Sequence, residues 1–107
     1  MQPLQRLTAP TISVLRVLLQ ADHPVWGLMI IKTTGLLPGT VYPILERLER
    51  HGWITSMWEN EPSRTGPRRR LYEFTAEGRV AAGSACAQFE SRHPTGRPAR
   101  TTKWATT

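Results

Sequence analysis

Apolar residues first recur at helical spacing between Thr8 and Gln20, as Ile12, Leu15, Leu18 and Leu19 with Val14 and Val17 beside them. Steps of three and four residues build one buried helix side, so the pattern predicts a first helix from Pro10 to Gln20. Thr8 offers an oxygen to cap it, and Pro10 suits the first turn, where an N–H is not needed. Pro24 disfavours helix at the residue before it, so Asp22-His23-Pro24 is a break. Val25 to Thr34 carries Trp26, Leu28, Ile30 and Ile31 and predicts a second helix, closed by Gly35. A third is expected from Pro38 or Gly39 to Gly52, with Val41, Ile44, Leu45 and Leu48 on one side. At about 100° per residue the opposite side presents Pro43, Glu46, Arg47 and Arg50. Pro43 removes one helical hydrogen bond and is expected to tighten or bend the first turn.

The period then changes to two. Ile54, Ser56 and Trp58 alternate with Thr55, Met57 and Glu59, which predicts a strand from Trp53 to Glu61. Pro62 to Pro67 is rich in turn residues, and Arg68 to Phe74 predicts the returning strand, with Tyr72 and Phe74 inward. Trp26, Trp53 and Trp58 are assigned to the core. Thr75 caps a last helix from Ala76 to about Arg92, whose thin apolar stripe is Ala82, Ala85, Cys86 and Phe89. Gly78 and Gly83 are expected to weaken that helix by roughly 1 kcal/mol each relative to Ala.

The expected fold is mainly α with a small two-stranded β wing, a winged helix-turn-helix of three helices, two strands and a closing helix. Residues 8–75 would form the winged domain and 76–92 a dimerisation helix. Residues 93–107, rich in Thr, Pro, Gly and basic residues without an acid, would be a disordered tail.

Charge then narrows the class of partner. The chain of 107 residues holds 14 Lys and Arg against 8 acids, a net charge of +6. That balance favours a polyanionic partner, nucleic acid before membrane. Most of the basic residues are Arg, which suits bidentate contacts to phosphate and guanine, although a GC-rich genome would give the same bias. One cysteine excludes an intramolecular disulfide framework and a Cys-based zinc site. His23, His51 and His93 do not lie at ligand spacing from one another, from an acid or from Cys86, so no catalytic or metal site is expected and no cofactor is implied. Met1 to Leu7 is polar and unlike a signal peptide, and Leu28 to Ile31 is too short to span a bilayer. The expected setting is a bacterial or phage-encoded cytoplasmic protein associated with the nucleoid.

Gly39-Thr40-Val41-Tyr42-Pro43, followed by Leu45, Arg47, Leu48 and Glu49, resembles the PadR-like transcriptional regulators. Val14-Leu15, Trp26-Gly27 and Ile30 match before it. Gly52, Trp58, Gly66, Arg69, Tyr72, Thr75 and Gly78 follow in order, so the resemblance covers about residues 8 to 80. It implies a dimeric DNA-binding regulator, often a repressor, that dimerises through C-terminal helices and in some members senses a small aromatic effector. The single short last helix is similar to the family's compact subgroup.

On this reading the start of the third helix enters the major groove of double-stranded DNA. Gly39, Thr40, Tyr42, Pro43 and Arg47 are the candidates there, with Arg64, Arg68 and Arg69 from the wing on the backbone or minor groove. Tyr42 could instead be a partly buried ring at the core edge. Arg50 lies four residues after Glu46 and is expected to pair with it; Arg70 alternates with Arg69, so one of the two faces the duplex. Ala82, Ala85, Cys86 and Phe89 are the dimerisation candidates, with the first helix or the N-terminal arm sharing the interface. A homodimer would read an inverted repeat. A winged-helix protein-interaction module and a phage-type DNA-architectural or recombination accessory protein stay open as alternatives.

Overall fold

The computed structural model describes residues 1–4, 6–60 and 65–92; Arg64 and the tail expected over 93–107 lie outside the described residues. The chain runs α1 (Ala9–Gln20), β1 (Val25–Trp26), α2 (Gly27–Thr34), α3 (Pro38–Arg50), β2 (Ile54–Trp58), β3 (Arg70–Phe74) and α4 (Ala76–Arg92). Thr8 caps α1 as expected, its Oγ1 accepting from the Thr11 N–H at 3.3 Å.

Val25 and Trp26 depart from the expected second helix. They form a short third strand, so the wing grows out of a three-stranded antiparallel sheet of order β1-β3-β2. A β-branched residue followed by an aromatic suits a strand. Val25 pairs with Tyr72 and Trp26 with Leu71. On the other edge of β3, Ile54 pairs with Phe74, Ser56 with Tyr72 and Trp58 with Arg70. β3 is therefore the central strand, holding the wing on one side and the root of α2 on the other.

The core joins every helix to the sheet. Ile12, Leu15 and Leu18 of α1, Ile30 of α2, and Val41, Ile44, Leu45 and Leu48 of α3 meet Trp53, Ile54 and Tyr72. Ala82, Ala85 and Cys86 close it from α4, which packs on α1. An exposed ion pair of 2.8 Å between Arg16 and Glu90 ties the same two helices. Burial raises the Cys86 thiol above its ordinary range against a smaller opposing pull from Arg16.

The entry into α4 is tight. Thr75 donates its N–H to the Trp53 carbonyl at 3.0 Å. Its hydroxyl donates to the Gly52 carbonyl at 3.0 Å and accepts the Gly78 N–H at 2.9 Å. A Cβ on Gly78 would stand 1.8 Å from the Trp53 carbonyl oxygen. Gly78 therefore has a packing role that outweighs its poor helix propensity, whereas Gly83 has open space around it.

The first residues lie across the far end of α3. The Gln2 N–H donates to the His51 carbonyl at 2.8 Å, and the Trp53 indole N–H donates to the Gln2 carbonyl at 2.6 Å. Trp53 is buried as expected, but Trp58 is 51% exposed.

Candidate nucleic-acid interface

The turn into α3 is built from backbone chemistry. Gly35 takes a left-handed φ of 75°, and its N–H donates to the Ile31 carbonyl at the end of α2. The Thr34 hydroxyl donates to the Ile30 carbonyl at 2.7 Å and accepts the Leu36 N–H at 3.2 Å. Leu37 then caps α3 in extended backbone without a side-chain cap bond. Thr40 and Val41 both donate to the Leu37 carbonyl, at 2.9 and 3.0 Å. Pro38 has no N–H, so Gly39 keeps the free first-turn donor among the described residues, at an exposed position. An exposed N–H at the positive end of a helix favours an anion.

At about 100° per residue, Gly39, Pro43, Glu46 and Arg50 share a stripe about 60° wide opposite the core side of α3. All four are exposed. No ion pair joins Glu46 to Arg50 among the described residues, contrary to the expectation from their spacing. Tyr42 and Glu49 flank the stripe toward the wing; Thr40 and Arg47 flank it on the other side. Arg47 is half-buried and lines a groove with Gln2, Pro3, Leu4, Arg6 and His51.

Tyr42 is 42% exposed, so it is a surface residue with one covered side. That side rests on Gly27, where an added Cβ would lie 2.9 Å from the ring. Gly27 thus lets the phenol lie over the start of α2. The Tyr42 hydroxyl has no hydrogen-bond partner among the described residues.

The three consecutive arginines of the wing point to different surroundings. Arg68 is exposed, its Nε donating to the Glu59 carbonyl at 3.3 Å. Arg69 turns back onto the domain: its guanidinium lies 3.9 Å from the centre of the Trp26 ring, and Nη1 is 3.9 Å from the Glu59 carboxylate. Its Nε is buried without a hydrogen-bond partner. Arg70 faces α3. Its Nη2 donates to Ser56 Oγ at 2.7 Å, and that hydroxyl donates to Glu49 at 2.6 Å.

Sequence reasoning missed this Glu49–Ser56–Arg70 chain, which ties the back of the wing to α3. Trp58 lies beside it, with the Arg70 and Arg68 guanidiniums 5.1 and 5.8 Å from its ring centre. The alternation of Ile54, Ser56 and Trp58 held a signal, since a serine sharing a face with Trp58 marks that face as only partly covered. Tyr42, Pro43, Glu46, Glu49, Arg70 and Tyr72 line the groove between α3 and β3. Burial raises the Tyr72 phenol above its ordinary range, with Arg70 pulling the other way.

The structure thus brings Gly39, Tyr42 and Pro43 to one surface, with Thr40 and Arg47 at its far edge and Arg68 out on the wing. Arg69 is turned away from it. Of the four dimerisation candidates, Ala82, Ala85 and Cys86 are buried in the protomer's own core, and Phe89 is half-buried against it. No group of His, Cys, Asp and Glu among the described residues could hold a metal. No helix among them is long and apolar enough to cross a membrane.

A search of curated proteins gave no match. Among solved structures, a PadR family transcriptional regulator from Eggerthella lenta is similar at 28% identity, with 83% of this chain and 82% of that chain covered and a TM-score of 0.60. A PadR family regulator from Clostridium difficile is similar at 27% identity, with 78% and 91% covered and a TM-score of 0.62. NadR, solved with 4-hydroxyphenylacetate, shares the fold at 22% identity, with 82% of this chain and 59% of that chain covered and a TM-score of 0.62. The profile of the PadR-like transcriptional regulators matches residues 14–84, spanning α2, α3, the wing and the start of α4. The chain belongs to the PadR-like family of transcriptional regulators.

Proposed function

We propose that the protein is a sequence-specific binder of double-stranded DNA that represses transcription as a homodimer on an inverted repeat. The observation that carries this reading is the exposed stripe of α3, with the free Gly39 N–H at its start and the Tyr42 hydroxyl beside it. α3 would lie in the major groove, with Gly39, Thr40, Tyr42, Pro43 and Arg47 as its contacts. Arg68, together with Arg64, would hold the backbone or minor groove. Arg69 would act indirectly, by bracing the wing on Trp26.

Residues 8–75 would serve as the DNA-binding unit and 76–92 as the dimerisation element. Because Ala82, Ala85 and Cys86 are already buried and Phe89 packs against the same core side, a second copy would meet the outer side of α4, where Val80 is 75% exposed. A small aromatic effector belongs to the same reading, supported by the ligand in NadR. The protein would act in the cytoplasm, on the nucleoid.

Electrophoretic mobility of duplexes from upstream of its own gene tests the proposal. A shifted band that weakens steeply with salt, as released counterions require, is expected. No shift at low salt for any upstream fragment would overturn it. Light scattering of the full chain should give twice the protomer mass at micromolar concentration.

A further inference from the structure

We propose that Glu46 is a base-reading residue that accepts the exocyclic amino group of a cytosine in the major groove, an inference that rests on the DNA-binding reading above. Glu46 lies on the central exposed stripe of α3, between Pro43 and Arg50. Its neighbour Glu49 is engaged, accepting the Ser56 hydroxyl at 2.6 Å with Arg70 at 4.0 Å. Glu46 has no ion pair or side-chain hydrogen bond among the described residues, and neither does Arg50. The carboxylate is therefore free to meet whatever α3 meets.

A carboxylate brought against a duplex is repelled by the phosphates, so it is tolerated only where it finds a donor. Guanine and thymine show acceptors in the major groove, and adenine sets its N7 acceptor beside its amino group. Cytosine alone shows an amino donor without an adjacent acceptor to repel a carboxylate. Arg50 lies about 6 Å further along the helix, on the same stripe. Its positive charge offsets the repulsion of Glu46 and places a phosphate or guanine contact next to the cytosine. Arg47, the more obvious basic residue in the sequence, sits at the flank toward the N-terminal residues.

Selection of duplexes from a randomised pool by the full chain, compared with Glu46→Ala, Glu46→Gln and Arg50→Ala, tests the assignment. The unsubstituted protein should select a cytosine in each half-site. Glu46→Ala should lose that preference by about tenfold, the scale of one good side-chain–base contact, and keep its other preferences. Its binding to unrelated duplex should hold or rise, because a negative charge has been removed; a residue with a merely structural role would lower both. Glu46→Gln should move the preference toward adenine, and Arg50→Ala should weaken all binding while keeping the cytosine. Glu46→Ala selecting the same base at every position as the unsubstituted protein would overturn this inference alone. Failure of the unsubstituted protein to select any sequence would overturn the DNA-binding reading with it.

Discussion

The α-carbon of Gly78 lies against the carbonyl of Trp53, so closely that a Cβ there would stand 1.8 Å from the oxygen. The first turn of α4 is thereby seated on the segment that leads from α3 into β2. Gly78→Ala must push α4 off that backbone and should destabilise the fold by about 1–3 kcal/mol or more. Gly83→Ala, in open space on the same helix, should stabilise it by about 0.5–1 kcal/mol. Thermal denaturation of the two variants checks the pair, and equal shifts of the same sign would contradict this packing.

The start of α1 depends on Thr8, whose hydroxyl oxygen accepts the Thr11 N–H and also lies 3.0 Å from the Thr11 hydroxyl. Thr8→Ala should lower stability by about 1 kcal/mol. Urea denaturation measures it, and Thr8→Ser should restore most of the loss.

Tyr42→Phe separates the phenol's two faces. The ring still covers Gly27, and the hydroxyl has no partner among the described residues, so the melting temperature should not change. Loss of one hydrogen bond to a phosphate should weaken DNA binding by about tenfold or more. Titration of a labelled duplex at fixed salt is the measurement, with an unchanged Kd counting against a DNA-facing Tyr42.

Alkali should loosen the fold from two places. Burial keeps the Cys86 thiol and the Tyr72 phenol protonated above their ordinary values of 9.0 and 10.0, against smaller pulls from Arg16 and Arg70. The folded chain thus holds protons that the unfolded chain releases. Their contribution to stability is full below about pH 9 and is lost as pH rises through the raised folded values. Denaturation midpoints followed into alkali should fall, and Cys86→Ala should remove the part of the fall that begins nearest pH 9.

Arg68 and Arg69 should behave differently despite being adjacent. Arg68→Ala removes an exposed charge and should reduce the salt dependence of DNA binding by about one ion. Arg69→Ala removes the stack on Trp26 and should cost about 0.5–2 kcal/mol of stability. In a cycle with Trp26→Leu its effect should be non-additive; simple addition would show that the stack carries no energy.

Much of this architecture is legible in the chain. The 3.6-residue repeats of α1, α3 and α4 run long enough to show their buried sides, and Thr8, Gly35 and Thr75 punctuate them. β1 is not legible, because two residues have no period, and Val25-Trp26 continues smoothly into the apolar run of α2. The directions of Arg69 and Arg70 depend on the register of β3 between two strands, which local spacing does not encode. The Glu46–Arg50 pairing fails because an exposed pair at that spacing is worth only about 0.2–0.5 kcal/mol. Gly78 reads as a weak point until the Trp53 carbonyl, distant in sequence, is placed beside it.

β3 sits between β1 and β2, and Val25–Trp26 runs directly into α2. The wing is therefore geared to α2, the helix that precedes α3, with Arg69 on Trp26 as a second tooth. Such a coupling makes the described part of the molecule a calliper rather than a hand: the gap between the α3 stripe and Arg68 is set by the sheet. On the proposed DNA-binding reading, duplexes whose groove width suits that gap would be gripped at both points, and others would have to bend to fit.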